Sequence, residues 1–148
     1  MLLERVVFRR ADVRDVEEIY RLEREIFGAE GYSRSLVEYL IMFSDFFVVA
    51  CVDGEIVGYL CGEVVGERGH IITIAVRREF RKRGIGSMLM GMFLEYLRGR
   101  GVGSVYLEVS VRNSEAVSFY RKWGFYVKAR IPRYYRDGSD AYVMERPL

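Results

Sequence analysis

The sequence predicts an α/β protein with a mixed sheet and helices on both faces. Short β-branched and aromatic runs alternate with segments in which apolar residues recur every three or four positions. Two Asp-Gly pairs, Asp53-Gly54 and Asp137-Gly138, separate such runs in the manner of hairpin turns. Between them the order strand, helix, strand predicts a right-handed crossover.

Glu4 to Arg10, with Val6-Val7-Phe8, reads as the first strand, and Asp12 stands where an N-cap belongs. In the following helix Val16, Ile19, Tyr20, Glu23, Ile26 and Phe27 share one stripe in which only Glu23 is polar. Gly28 and Gly31 end it, and Ser33 caps a second helix running to about Phe43. Phe46 to Val52 and Glu55 to Val65 form a hairpin around Asp53-Gly54, followed by a strand from His70 to Val76. A basic turn, Arg77 to Arg83, leads into a helix from Gly84 to about Arg98, whose stripe of Ile85, Met88, Leu89, Met92, Phe93, Tyr96 and Leu97 suits a sheet surface. Ser104 to Val111 is a strand, Asn113 to Trp123 a short helix ended by Gly124, and Phe125 to Tyr135 with Ala141 to Glu145 a closing hairpin.

At 148 residues, without repeats or linkers, the chain is read as one domain, 1–148. Its 23 basic residues nearly balance 21 acidic ones, which argues against a nucleic-acid partner. The longest apolar run, about Phe46 to Val52, is far shorter than the roughly 20 residues of a membrane helix, so no membrane role is expected. Two cysteines in apolar surroundings and no signal-peptide pattern suggest a reduced, cytoplasmic protein. The absence of Gln, a single Asn, and 20 Arg against 3 Lys would suit a hot habitat, although GC-rich coding gives the same bias.

The segment from Arg77 to Ser87 carries the chemistry. It joins a strand to a helix N-terminus, where the first amides lack intrahelical acceptors, the helix dipole is positive, and Gly84 and Gly86 allow an anion close to the backbone. Ser87 adds a hydroxyl. The Walker pattern of Gly-Lys-Ser/Thr is absent, and the third glycine of the dinucleotide pattern is replaced by Leu89, so neither an NTPase nor a dehydrogenase is indicated. The plainer alternative is a solvated basic surface on a tight turn.

Arg81-x-x-Gly84-x-Gly86 after a strand resembles the Arg/Gln-x-x-Gly-x-Gly/Ala signature of the GNAT superfamily of N-acetyltransferases. Leu107-Glu108-Val109, Asn113, Ala116, Tyr120 and Gly124-Phe125 resemble the second half of the acetyl-CoA site in its RimI-like branch. The tail Tyr134-Tyr135-x-Asp137-Gly138-x-Asp140-Ala141-Tyr142-Val143-Met144, together with His70-Ile71 and Glu30-x-Tyr32, is similar to the N-terminal acetyltransferases of archaea and to the NatA catalytic subunit. Where those enzymes often carry a Leu-Pro-Glu-Asn-Tyr-Pro-like loop, this chain has Gly28-Ala29-Glu30-Gly31-Tyr32-Ser33, without either proline.

The resemblance implies the GNAT fold: one mixed, mostly antiparallel sheet of about seven strands with about four helices on both faces, classed α+β in some schemes. It implies acetyl-CoA as co-substrate, with the pantetheine arm on the backbone of Ile74, Ala75 and Val76. The pyrophosphate would lie on Arg81, Lys82, Arg83, Gly84, Ile85, Gly86 and Ser87, and Asn113, Tyr120 and Lys122 would complete that site. Tyr32, Tyr134 and Tyr135, with Glu30 beside them, would flank a peptide N-terminus. Such an enzyme would act on protein or peptide N-termini, ribosomal proteins among them, as a monomer or homodimer, with ribosome or auxiliary-subunit association compatible with that role.

Acetyl transfer needs a neutral amine, a stabilised oxyanion and a proton or hydrogen bond for the leaving thiolate. In the fifth strand Val105, Leu107, Val109 and Val111 share one face while Tyr106, Glu108 and Ser110 share the other. Glu108 is thus a carboxylate within an apolar strand and the candidate base; the alternative is a salt bridge to one of the arginines. Tyr120 is the candidate acid by its place in the family motif, although a tyrosine in a short helix is commonly packing. His70, the sole histidine, is either structural or, by the resemblance, an aid to proton removal. His70 and Glu108 alone are too few for a metal site, so none is expected. Competing readings are acetylation of a small amine or a lysine side chain, and a non-catalytic acyl-CoA-binding or partner-dependent subunit.

Overall fold

The computed structural model of the chain describes residues 5–148. The elements are β1 (Val6–Arg10), α1 (Val16–Phe27), α2 (Arg34–Phe43), β2 (Phe46–Val52), β3 (Glu55–Val65), β4 (Arg68–Val76), α3 (Ile85–Gly99), β5 (Ser104–Ser110), α4 (Ser114–Lys122), β6 (Tyr126–Ile131) and β7 (Ala141–Pro147), with 3-10 turns at Val13–Asp15, Gly28–Glu30 and Arg78–Phe80. Glu4, read as the start of the first strand, lies outside the described residues. The strands form one seven-stranded sheet in the order β1-β2-β3-β4-β5-β7-β6. β4 and β5 are parallel, whereas β1 with β2, β2 with β3, β5 with β7 and β6 with β7 run antiparallel. This is the mixed sheet with four helices that the sequence predicts.

Most boundaries shift by one or two residues from the sequence reading, and two differences have a clear local reason. Asp12 caps the 3-10 turn and not α1: its side chain accepts from Arg14 N, and its own amide donates to the Asp15 carboxylate in a reciprocal capping box. β6 stops at Ile131 instead of reaching Tyr135, because Pro132 has no N–H and Arg133 turns into the left-handed region at φ 49°. The amides of Tyr134 and Tyr135 then bond to Ser139 O, closing the loop on itself.

The chain comprises two compact units, the first the chain up to Glu63 with Ile72–Tyr96, the second Val64–Ile71 with Leu97–Leu148. In the first, β3 is covered on both faces. Tyr59 points to α1, where its hydroxyl meets Glu23, and it lies in a core with Ile19, Leu22, Val37, Ile41 and Val49. On the opposite face a Cβ at Gly62 would stand only 2.3 Å from the Phe93 ring, so glycine there is what lets α3 lie this close. In the second unit Val105, Leu107 and Val109 of β5 are buried, whereas Tyr106, Glu108 and Ser110 alternate with them at half-burial. That is the two-face pattern the sequence predicts for this strand. Among the described residues no helix is long and apolar enough to cross a membrane.

Candidate active site

The anion-type turn lies in the first unit. Arg77 N–H bonds Val57 O at 2.8 Å, anchoring the turn to β3. Arg81 Nε donates to Val76 O at 2.8 Å, so this arginine braces the turn against the end of β4. Lys82 and Gly84 both take left-handed backbone, at φ 61° and 87°. A lysine held there stores strain of about 1–3 kcal/mol, a cost that clusters at ligand sites. Met88 N–H bonds Gly84 O at 2.9 Å, so the helical ladder of α3 begins at Gly84, and Ile85 and Gly86 stand in its first turn, at the positive end of the helix dipole. Lys82, Arg83 and Ser87 are exposed around them. This donor set fits the pyrophosphate of a nucleotide-type cofactor. Ala75 is buried, and Ile74 and Val76 are half-buried at the end of β4.

The acid–base candidates lie in the second unit. The parallel register pairs His70 with Tyr106. Glu108 is two residues further along the same face of β5, within diagonal reach of His70. His70 Nε2 and Glu108 Oε1 are 2.8 Å apart, with side chains 17% and 21% exposed, so the pair is sheltered yet open to a substrate. The His70 ring is stacked on Tyr106 at 4.4 Å, and the Arg68 guanidinium lies over that tyrosine at 4.2 Å while pairing with Glu145 at 3.0 Å. Among the described residues Glu108 therefore pairs with the sole histidine and not with an arginine. Burial, with Glu108 and Tyr106 adding to it, pushes the Tyr134 phenol above its ordinary value. Tyr134 is half-exposed and its ring meets Tyr135 edge-on at 4.9 Å.

Tyr120 is 8% exposed on α4, edge-on to Phe119 and Phe125, and burial, then Tyr135, raises its phenol well above the ordinary tyrosine value. Asn113 spends its side-chain oxygen on the Ala116 amide at 3.1 Å, capping α4. Lys122 is exposed in the last turn of that helix.

In the first unit Tyr32 and Glu30 follow α1, both half-buried. In the sequence Glu23 is the one polar residue of its stripe; in the structure it has three donors. At 2% exposure it accepts from Tyr59 OH at 2.7 Å, Thr73 Oγ1 at 2.9 Å and the Tyr32 amide at 3.0 Å. A polar position within an apolar helical stripe was the available signal. The stacking of Tyr106 on His70 had no such signal, because it depends on strand register. Among the described residues no group of three or more His, Cys, Asp or Glu could hold a metal ion.

The Acetyltransferase (GNAT) family matches residues 14–125. The chain is 34% identical over 153 residues to an N-alpha-acetyltransferase of Sulfurisphaera tokodaii, with 95% of this chain and 92% of the relative covered. It is also 34% identical to an N-alpha-acetyltransferase of Sulfolobus acidocaldarius, over 95% and 91% of the two chains. Among solved structures, Ard1 from Thermoplasma volcanium superposes with a TM-score of 0.91 at 36% identity, covering 97% of this chain and 98% of that one.

Proposed function

We propose, from the premise that this chain belongs to the acetyltransferase (GNAT) family, that it transfers the acetyl group of acetyl-CoA to the free α-amine of protein or peptide N-termini by direct attack. The named relatives over nearly the whole chain support an α-amine acceptor. Ribosomal proteins are among the termini proposed, and the cytoplasm is the proposed place of action. The turn from Arg81 to Ser87 holds the cofactor's pyrophosphate, with Lys82 and Arg83 supplying charge and the start of α3 supplying amides.

The observation that carries the chemical reading is the 2.8 Å contact between His70 and Glu108 on the open face of β5. Glu108 takes the proton of the incoming ammonium, directly or through one water, and His70 orients that carboxylate and passes the proton outward. Tyr120 donates to the departing thiolate. Tyr134 and Tyr135 are proposed contacts of the peptide chain, and Tyr32 and Glu30 proposed contacts of its first residue. The acceptor makes modest demands on such a base. An α-amine has a pKa of about 7.7–8.0 against about 10.4 for lysine, a difference of roughly 2.5 units or about 3.4 kcal/mol. A half-sheltered carboxylate–imidazole pair suits the first acceptor better than the second.

The test is to incubate the chain with labelled acetyl-CoA, peptides differing in first residue, and N-blocked peptides containing lysine. Label is expected on free α-amines; label confined to the blocked peptides would overturn the assignment. Glu108→Gln should lower kcat by about 10²- to 10⁴-fold while acetyl-CoA affinity holds. Unchanged turnover would remove Glu108 from the chemistry.

A further inference from the structure

The loop from Gly28 to Ser33 follows α1 without the prolines that would stiffen it, yet it is tied at several points. The Gly28 amide caps α1 on Arg24 O, with the glycine at φ 59°. Gly31 bonds back to Gly28 O at 3.1 Å and lies so near α1 that a Cβ there would stand 2.5 Å from the Glu23 carbonyl oxygen. The Tyr32 amide donates to the Glu23 carboxylate, and the Tyr32 hydroxyl donates to Ile72 O at 3.3 Å. One carboxylate thus joins the loop after α1 to β3 through Tyr59 and to β4 through Thr73. A carboxylate in an apolar stripe is costly unless its oxygens are bonded, and leucine would fill the same space without that cost. The side chain is there for its acceptors.

We infer that Glu23 is a positioning residue that sets which N-terminal residue the enzyme accepts, by fixing Tyr32 and its loop through the main chain. This rests on the proposed N-terminal acetylation and on Tyr32 bordering the first residue. The three donors are not equivalent. A hydroxyl can turn and accept, whereas a main-chain N–H can only donate. In Glu23→Gln the amide oxygen can face Tyr32 N–H and the NH2 group can face the two hydroxyls, so every bond is kept without the charge. In Glu23→Met, of similar size, none is kept.

The experiment measures kcat and KM of the full chain for free-amine peptides differing only in their first residue, and KM for acetyl-CoA. Glu23→Gln should keep the wild-type rank order. Glu23→Met should change the ratio of kcat/KM between favoured and disfavoured peptides on the order of tenfold, through peptide KM, with acetyl-CoA KM unmoved and faster hydrogen exchange at the Tyr32 amide. Gly31→Ala, which displaces the same loop without touching the carboxylate, should shift the preference likewise and decides the matter if Glu23→Met does not fold. Equal behaviour of the Gln and Met variants, or one common loss across all peptides, overturns the inference. A wild-type chain inactive on every free α-amine overturns the function reading and this inference with it; wild-type activity with an unaltered preference in the folded variants overturns the inference alone.

Discussion

Removal of the Tyr120 hydroxyl separates two roles that a general acid can play. The phenol lies 8% exposed between Phe119 and Phe125, at ring distances of 5.5 and 5.8 Å, and burial holds it protonated beyond the ordinary tyrosine range. An alkyl thiol of the cysteine type has a pKa of about 8.5, and an unperturbed phenol about 10, so full proton transfer from Tyr120 to the thiolate is uphill by more than about 2 kcal/mol. Tyr120 is thereby better suited to hydrogen-bond the departing sulfur than to protonate it. A hydrogen bond to a charged group contributes about 1.5–3 kcal/mol, which corresponds to a loss of about 10- to 150-fold in kcat for Tyr120→Phe. Phenylalanine fills the same site, so the melting temperature should move by only a few degrees. The assay is single-turnover acetylation from pH 6 to 10 with both proteins. The two pH profiles should have the same shape, because this phenol does not ionise in that window. A loss below threefold would remove Tyr120 from the reaction, and a loss above a thousandfold, or an alkaline limb present only in the wild type, would refute the hydrogen-bond argument in favour of obligatory proton transfer.

Two further outcomes follow from the same geometry. Gly84→Val forces a β-branched residue into backbone at φ 87° and should weaken coenzyme A binding by at least about tenfold, read by calorimetry, while kcat at saturation changes little; undiminished affinity would detach the turn from the cofactor. Asp15→Asn should lower stability at neutral pH by about 2 kcal/mol, roughly 4–8 °C in melting temperature, since Asp15 accepts two bonds from Arg9 at 2.8 and 2.9 Å but Arg9 is partly solvated. Burial works to raise the Asp15 carboxyl, yet the Arg9 bonds and the Asp12 amide outweigh it and hold the group below its ordinary value. The stabilisation is therefore fully present above the unfolded aspartate value of about 3.9 and is lost as pH falls through the lower folded value, so the two melting curves should converge in acid. A gap that stays constant down to pH 2 would show that the charge is not its source.

Much of this architecture was legible because it is local. The alternation in β5, the glycine turn before α3 and the Asp-Gly hairpin between β2 and β3 are fixed by residues within a few positions of one another. The place of β7 between β5 and β6 was not legible, since it depends on which edge a returning strand finds. Nor was the end of β6, where the aromatic run Tyr134-Tyr135 continued the strand pattern while Pro132 and the left-handed Arg133 had already broken the ladder.

The site divides along the same line. Glu23 and Glu108 each break the character of an apolar element, and a carboxylate in such a position must find donors or an opposite charge somewhere. The sequence therefore marks both positions as ones that call for a partner. It does not show which, and the function differs with the answer. Had Glu108 met an arginine, a guanidinium that stays protonated would have left no route for a proton outward. Meeting His70 instead places an imidazole 2.8 Å from the carboxylate, the neighbour that the proposed proton route requires. That outcome depends on a parallel register in which Tyr106 lies opposite His70. A slip of one residue would turn Glu108 to the other face of the strand and end the pairing.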